Sequence, residues 1–275
     1  MFKDKEREKR IKQLVSEGKI EEALALAGIT EADFLFEIGV FFWREENYDM
    51  AEKVFSQVLE YEPDNAAAWY NKGIALGNLR RSEEAIVCFD EAIKRAPQDA
   101  DMWLNKGIAL QNLGKHHEAI VYYDEALQRD PRCAQAWLNK GEILTTVEEH
   151  DEALFCFDKV VKIDPDNADA WFKKGVILGD LKKYEEAIPC FDEAIRRNPE
   201  DVQAWYNKGV SSGQLGKYEE AVTCFDTVLK MNPEEADAWY NKGVSLRKLG
   251  KNKEATRCFN KALKINPTFF GNLGN

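Results

Sequence analysis

Tryptophan recurs every 34 residues through most of this chain, at Trp69, Trp103, Trp137, Trp171, Trp205 and Trp239. A single globular core has no use for a fixed period of that length. It marks one supersecondary unit copied along the chain, each copy burying its apolar face against the next. It also argues against catalysis, which needs an asymmetric constellation rather than one surface repeated.

Other residues keep the same period. Four after each Trp stands Gly73, Gly107, Gly141, Gly175, Gly209 or Gly243, and sixteen after stands Ala85, Ala119, Ala153, Ala187, Ala221 or Ala255. Twenty after is an aromatic residue (Phe89, Tyr123, Phe157, Phe191, Phe225, Phe259), and twenty-eight after is a proline, from Pro97 to Pro267. A weaker first copy has Leu35 in the Trp place, then Gly39, Ala51, Phe55 and Pro63. Trp, the Gly four on and the apolar residue seven on fall on one helical stripe, and Ala85, Phe89 and Ala92 fall on a second. The spacing therefore predicts two helices per copy. Gly114-Lys115, Gly216-Lys217 and Gly250-Lys251 mark the stop between them, and the proline stops the second helix. Gly and Pro interrupt any heptad in every copy, which excludes a coiled coil.

The chain resembles the tetratricopeptide repeat family. The resemblance is carried by W-x3-G-x2-L, then A-x3-F-x2-A, then P, as in AWYNKGIALGNLRRSEEAIVCFDEAIKRAP, and it covers about residues 32–269. It implies an all-α fold, a right-handed α-solenoid of antiparallel helix pairs whose first helices line a concave groove, in proteins that usually bind peptides or other proteins. Seven repeats are expected at 32–65, 66–99, 100–133, 134–167, 168–201, 202–235 and 236–269, in one cooperative array. Residues 1–31 are read as a degenerate amino-terminal capping hairpin, since GKIEEAL at Gly18–Leu24 echoes GKYEEAV at Gly216–Val222. The charged run Lys3–Arg10 is its solvated face, or an arm for a membrane surface or nucleic acid, although acids are interspersed. Residues 270–275 form a tail. No polar cap is visible after Pro267, so the expectation is a continuing chain, or an end covered by a partner or by self-association.

No apolar segment follows the start and no 18-residue apolar stretch exists, so neither a signal peptide nor a membrane span is expected. A net charge of −11 opposes nucleic-acid binding. Five of six cysteines keep the period (Cys88, Cys156, Cys190, Cys224, Cys258), with Cys133 the exception. Equivalent places on stacked helices lie about 10 Å apart, beyond the roughly 7 Å reach of a disulfide, and no CxxC exists to hold a metal. Buried thiols in a reducing, cytoplasmic compartment are expected, with no cofactor and no metal. His116 and His150 occupy the place held elsewhere by Tyr48, Tyr184 and Tyr218, a structural exchange. Lysines three after Trp (Lys72, Lys106, Lys140, Lys174, Lys208, Lys242) and aspartates twenty-one after (Asp90, Asp124, Asp158, Asp192, Asp226) suggest snorkelling stems or a ladder of ion pairs between helices. Pro189 falls inside a second helix, and Ser212 replaces an apolar residue and loosens its copy.

The first-helix face opposite the Trp stripe is the candidate peptide-binding surface. One after Trp are Tyr70, Leu104, Leu138, Phe172, Tyr206 and Tyr240. Two after are Asn71, Asn105, Asn139, Lys173, Asn207 and Asn241. Five after are Ile74, Ile108, Glu142, Val176, Val210 and Val244, nine after stand Asn78, Asn112, Thr146, Asp180, Gln214 and Lys248, and the places eight after and two before share the face. A row of carboxamides can donate to and accept from an extended backbone, and aromatic neighbours add anchoring area at low entropic cost. The competing account has the asparagines bridge neighbouring first helices. The carboxylate clamp of some family members wants Lys one after and Asn five after Trp, then Asn two after in the next copy, then Lys two before and Arg two after in a third. Only the Asn element matches, which argues against that clamp. The leading reading is a non-enzymatic protein-interaction scaffold holding an extended peptide. The alternatives are a docking part of an enzyme complex whose catalytic domain lies elsewhere, and an RNA-binding helical repeat.

Overall fold

A computed structural model describes residues 5–17, 19, 22–23, 26 and 31–267. Every regular element among them is a helix, fifteen in all. Helix α1 is Lys5–Ser16. Seven hairpins follow: α2 Glu31–Arg44 with α3 Tyr48–Tyr61, α4 Ala66–Asn78 with α5 Ser82–Arg95, α6 Ala100–Asn112 with α7 His116–Arg129, α8 Ala134–Thr146 with α9 His150–Ile163, α10 Ala168–Asp180 with α11 Tyr184–Arg197, α12 Val202–Gln214 with α13 Tyr218–Met231, and α14 Ala236–Lys248 with α15 Asn252–Ile265. Contacts gather them into two compact units that divide inside α8, one through Lys140 and one from Gly141.

Each helix end has a local cause. Asn65 and Asn167 accept from the Ala68 and Ala170 amides, and Asp99 and Asp201 do the same work at α6 and α12. Between the two helices of a hairpin one residue takes left-handed backbone. It is glycine at Gly114, Gly216 and Gly250, but Glu46, Arg80, Glu148 and Lys182 adopt φ of 58–63° without that freedom, at a cost of order 1 kcal/mol each. After the second helix, the proline's carbonyl accepts the indole N–H of the Trp six residues on, as Pro63 does from Trp69 (2.9 Å) and Pro165 from Trp171 (3.0 Å). The proline ends one helix and the tryptophan ties the connection to the next.

Inside each hairpin the glycine four after Trp lies against the aromatic ring of the second helix. A Cβ added at Gly175 would sit 2.7 Å from the Phe191 ring, and the other six hairpins give 2.6–3.1 Å. Phe55, Tyr123, Phe157, Phe191 and Phe225 are fully buried against these backbones. In the first unit α1 extends the core, with Ile11, Leu14 and Val15 packed among Phe34, Leu35, Ile38 and Phe42. Helix α11 runs through Pro189 without interruption. Ser212 lies fully buried where Leu178 and Leu246 stand in the neighbouring hairpins, and its hydroxyl has no hydrogen-bond partner. Most of the expected second capping helix, and the 270–275 tail with the end considered for self-association, fall outside the described residues.

Two glycines of α10 give opposite expectations. Gly175→Ala drives a methyl into Phe191 and should destabilise the chain by about 1–3 kcal/mol. Gly179 has nothing within 4 Å of the place its methyl would take. Gly179→Ala should therefore gain about 0.5–1 kcal/mol, because only helix entropy changes. Urea unfolding followed by far-UV circular dichroism compares them; equal effects would remove the close approach as the reason for glycine.

Candidate functional site

Successive first helices touch one another along the face singled out from the sequence. In the first unit the Asn105 amide donates to the Tyr70 hydroxyl at 3.0 Å, and in the second Asn241 donates to Tyr206 at 2.9 Å. Asn105 and Asn241 also donate to the carbonyls of Asp101 and Asp237, one turn back, as Asn71 and Asn207 do to Ala67 and Gln203. Asn105 and Asn241 thus bridge neighbouring first helices, as the competing account required. With both amide hydrogens committed, each meets any further group through its oxygen, as an acceptor. Asn139 is buried and accepts from Gln135 at 2.6 Å, while Asn78 donates to the Ile74 carbonyl and, like Asn112, is exposed.

The residues one after Trp serve the core as well as the face. Tyr70, Phe172, Tyr206 and Tyr240 are half-buried, with ring centroids 5.6–6.2 Å from the aromatics of their own second helices. Leu104 is buried and Leu138 half-buried. Leu104 and Asn139 therefore support the face from beneath and offer a ligand little surface. Ile74, Ile108, Glu142, Val176, Val210 and Val244 are half-buried.

Cavities open on this face in the second unit. One of about 330 Å³ is lined by Glu142, Thr145, Phe172, Lys173 and Val176. A second, of about 270 Å³, has Val210, Gln214, Tyr218, Asn241, Val244 and Lys248 in its wall. A third, of about 130 Å³, is lined by Val202, Gln203, Tyr206, Val228, Glu235 and Asp237. Thr145 sits eight after its Trp, a place the sequence already assigned to this face.

Carboxylates colour the face. Burial, then Asp237 and Glu235, pushes the Tyr206 hydroxyl up to about 12, and burial with Asp101 and Asp99 does the same for Tyr70. Burial and the neighbouring Asp99 and Asp130 raise the Asp101 carboxyl. Burial also pushes the Cys88, Cys190 and Cys224 thiols up to about 11, which leaves them unreactive at neutral pH.

Behind the face, the lysine and aspartate columns meet. Lys106 reaches Asp90 at 2.5 Å, Lys174 Asp158 and Lys208 Asp192 at 2.6 Å, and Lys242 Asp226 at 2.5 Å, each between one copy's first helix and the preceding second helix; Lys140 and Asp124 form the same pair. Lys72 has Ser56 in the corresponding place and turns to Glu52 at 3.7 Å. Burial pulls the Lys106 ammonium down, but its bonds to Asp90 and Tyr122 prevail and hold it above its usual value. Sequence reasoning missed a further column. Twenty-six after Trp, Arg95, Arg129 and Arg197 lie over the indoles of Trp69, Trp103 and Trp171, with Arg129 at 4.0 Å. The signal was there in the alternation of Arg with Ile163, Met231 and Ile265 at that place.

The sequence profile described as "Tetratricopeptide repeat" matches residues 100–133, 134–167, 168–201, 202–235 and 236–269, and a second profile of the same description matches 36–100. The chain belongs to the tetratricopeptide repeat family. Among solved structures it is similar to YrrB, described as a TPR protein with an unusual peptide-binding site, at 28% identity and a TM-score of 0.62 over 65% of this chain and 92% of that one. It is also similar to MamA from Desulfovibrio magneticus RS-1, at 22% identity and a TM-score of 0.57 over 62% and 96%, a likeness of fold alone. A stretch of 56 residues is 38% identical to the peroxisomal targeting signal receptor of Candida albicans; it covers 20% of this chain and a tenth of the receptor's length. The tetratricopeptide repeat is an interaction module, so the chain is a protein-interaction scaffold, and no helix among the described residues is long and apolar enough to cross a membrane.

Pairs as exposed as the Lys–Asp ladder contribute about 0–1 kcal/mol each. Replacing Asp158, Asp192 and Asp226 together by Asn should lower stability by roughly 1–2 kcal/mol at low ionic strength, with the deficit shrinking toward 1 M salt. Thermal unfolding across a salt series reads this; an unchanged melting temperature and salt slope would reduce the ladder to decoration.

Proposed function

We propose that this tetratricopeptide repeat protein is a non-enzymatic scaffold of the cytoplasm that holds an extended segment of a partner protein along its first-helix face. The supporting observation is the cavity of about 330 Å³ whose wall includes Glu142, Phe172, Lys173 and Val176. Its size suits one or two apolar side chains, and its lining includes the Phe172 ring, whose centroid lies 6.2 Å from that of Phe191. The oxygens of Asn105 and Asn241, whose amide hydrogens are spoken for, are acceptors for the backbone N–H groups of such a segment.

The relatives favour the same reading. YrrB's description names a peptide-binding site, and the Candida albicans receptor is named for a targeting signal. The seven copies expected at 32–269 supply the binding surface. The face groups proposed to take part are Tyr70, Asn71, Ile74, Asn105 and Ile108 in the first unit, and Glu142, Phe172, Lys173, Val176, Tyr206, Asn207, Val210, Tyr240, Asn241 and Val244 in the second. Six free cysteines, five of them buried, suit a reducing compartment.

The test is an array of random nonapeptides probed with the intact chain. Val176→Gln combined with Asn207→Ala should weaken the captured peptides at least about tenfold, a loss of roughly 1.4 kcal/mol. Val121→Gln, on an exposed second-helix position, should leave them unchanged. Equal retention by both variants, with both still folded, would move the site off the first-helix face.

A further inference from the structure

The face breaks its own pattern at one place. Two after Trp, Lys173 interrupts a row of asparagines; five after Trp, Glu142 interrupts a row of Ile and Val. These two departures belong to neighbouring copies, and the fold brings them together. The Lys173 ammonium lies 3.2 Å from the Glu142 carboxylate on α8 and 3.1 Å from Asp169, one turn earlier on α10. Burial pulls the Lys173 pKa down, but its hydrogen bonds to Asp169 and Glu142 prevail and keep it charged. One ammonium therefore faces two carboxylates, Glu142 in the wall of the Phe172–Val176 cavity and Asp169 one turn before Lys173, so this cluster of three groups carries one negative charge in excess.

We infer that this cavity sets the scaffold's specificity, taking an apolar side chain of an extended segment that carries Lys or Arg beside it. The inference rests on the reading of this face as a peptide groove and adds the chemistry of its occupant. An incoming cation completes an alternating network of two positive and two negative groups. An incoming carboxylate meets the opposite situation. To pair with Lys173 it must displace Glu142 or Asp169, which leaves an unpaired carboxylate beside itself. Like charges so placed are how an interface rejects wrong partners. The chain's net charge of −11 works in the same direction by drawing basic segments toward it.

The probes are acetylated, fluorescein-labelled nonapeptides of Ala and Gln with a central Leu flanked by Arg, Gln or Glu. Their binding to the intact chain is read by anisotropy at 50 and 500 mM salt. Arg peptides should bind tightest and Glu peptides weakest, about tenfold apart at low salt, with the gap narrowing at high salt. Glu142→Gln, which leaves Lys173 with a single carboxylate, should shrink the Arg advantage. Lys173→Asn, which restores the row and frees both carboxylates, should enlarge it. Replacing the central Leu by Ser should weaken all three peptides. Equal affinities within about twofold, a preference for Glu, or an Arg advantage that neither variant moves overturns the inference. Even if a variant folds poorly, equal affinities or a preference for Glu on the unaltered chain suffice to overturn the inference. Leu peptides that bind, weaken with Val176→Gln and ignore charge leave the groove reading standing and remove this inference alone. If no peptide of the set binds, both fall.

Discussion

Each hairpin closes because one helix omits a side chain where the other presents a ring. The glycine four after Trp lets the Phe or Tyr twenty after lie at 2.6–3.1 Å from where a Cβ would stand. That approach fixes how deep the two helices interlock, since packed interiors tolerate little extra volume. The rest follows in sequence. Trp ties the hairpin to the preceding connection through a proline carbonyl, and a lysine beside it reaches the aspartate of the preceding second helix. The side chains on the far side of the first helix are left to line a surface.

Much of this was legible in the residues. Gly, Ala, Phe and Pro at fixed offsets from Trp gave the helix pairs, and both ladder partners could be named before any distance was known. Less legible was the conformation of the inter-helix turn. Three copies advertise it with Gly-Lys, yet Arg80, Glu148 and Lys182 adopt the same left-handed backbone because the flanking packing over-determines it. The arginines over Trp69, Trp103 and Trp171 escaped notice because only three copies carry them.

The face was the hardest part to read. Periodicity places a residue on a helix side but does not say how much of it neighbours cover. Leu104 and Asn139 share the helical angle of positions that are half-buried in the other copies and are nonetheless buried. The asparagine row was legible as carboxamides on one face, but that Asn105 and Asn241 bridge first helices depends on Tyr70 and Tyr206. What distinguishes this scaffold from a uniform array is carried by the departures. Glu142 and Lys173 put an ion pair where the other copies carry Ile or Val and asparagine.

A double-mutant cycle on Gly175 and Phe191 probes the closure of the hairpin most directly. Gly175→Ala, Phe191→Leu and the pair are compared by urea unfolding. The smaller, flexible leucine should absorb part of the added methyl, so the double variant should be more stable than the sum of the single effects by about 1 kcal/mol. Additivity within roughly 0.3–0.5 kcal/mol would mean that glycine and ring do not press on each other, and the hairpin would have to be held by something else.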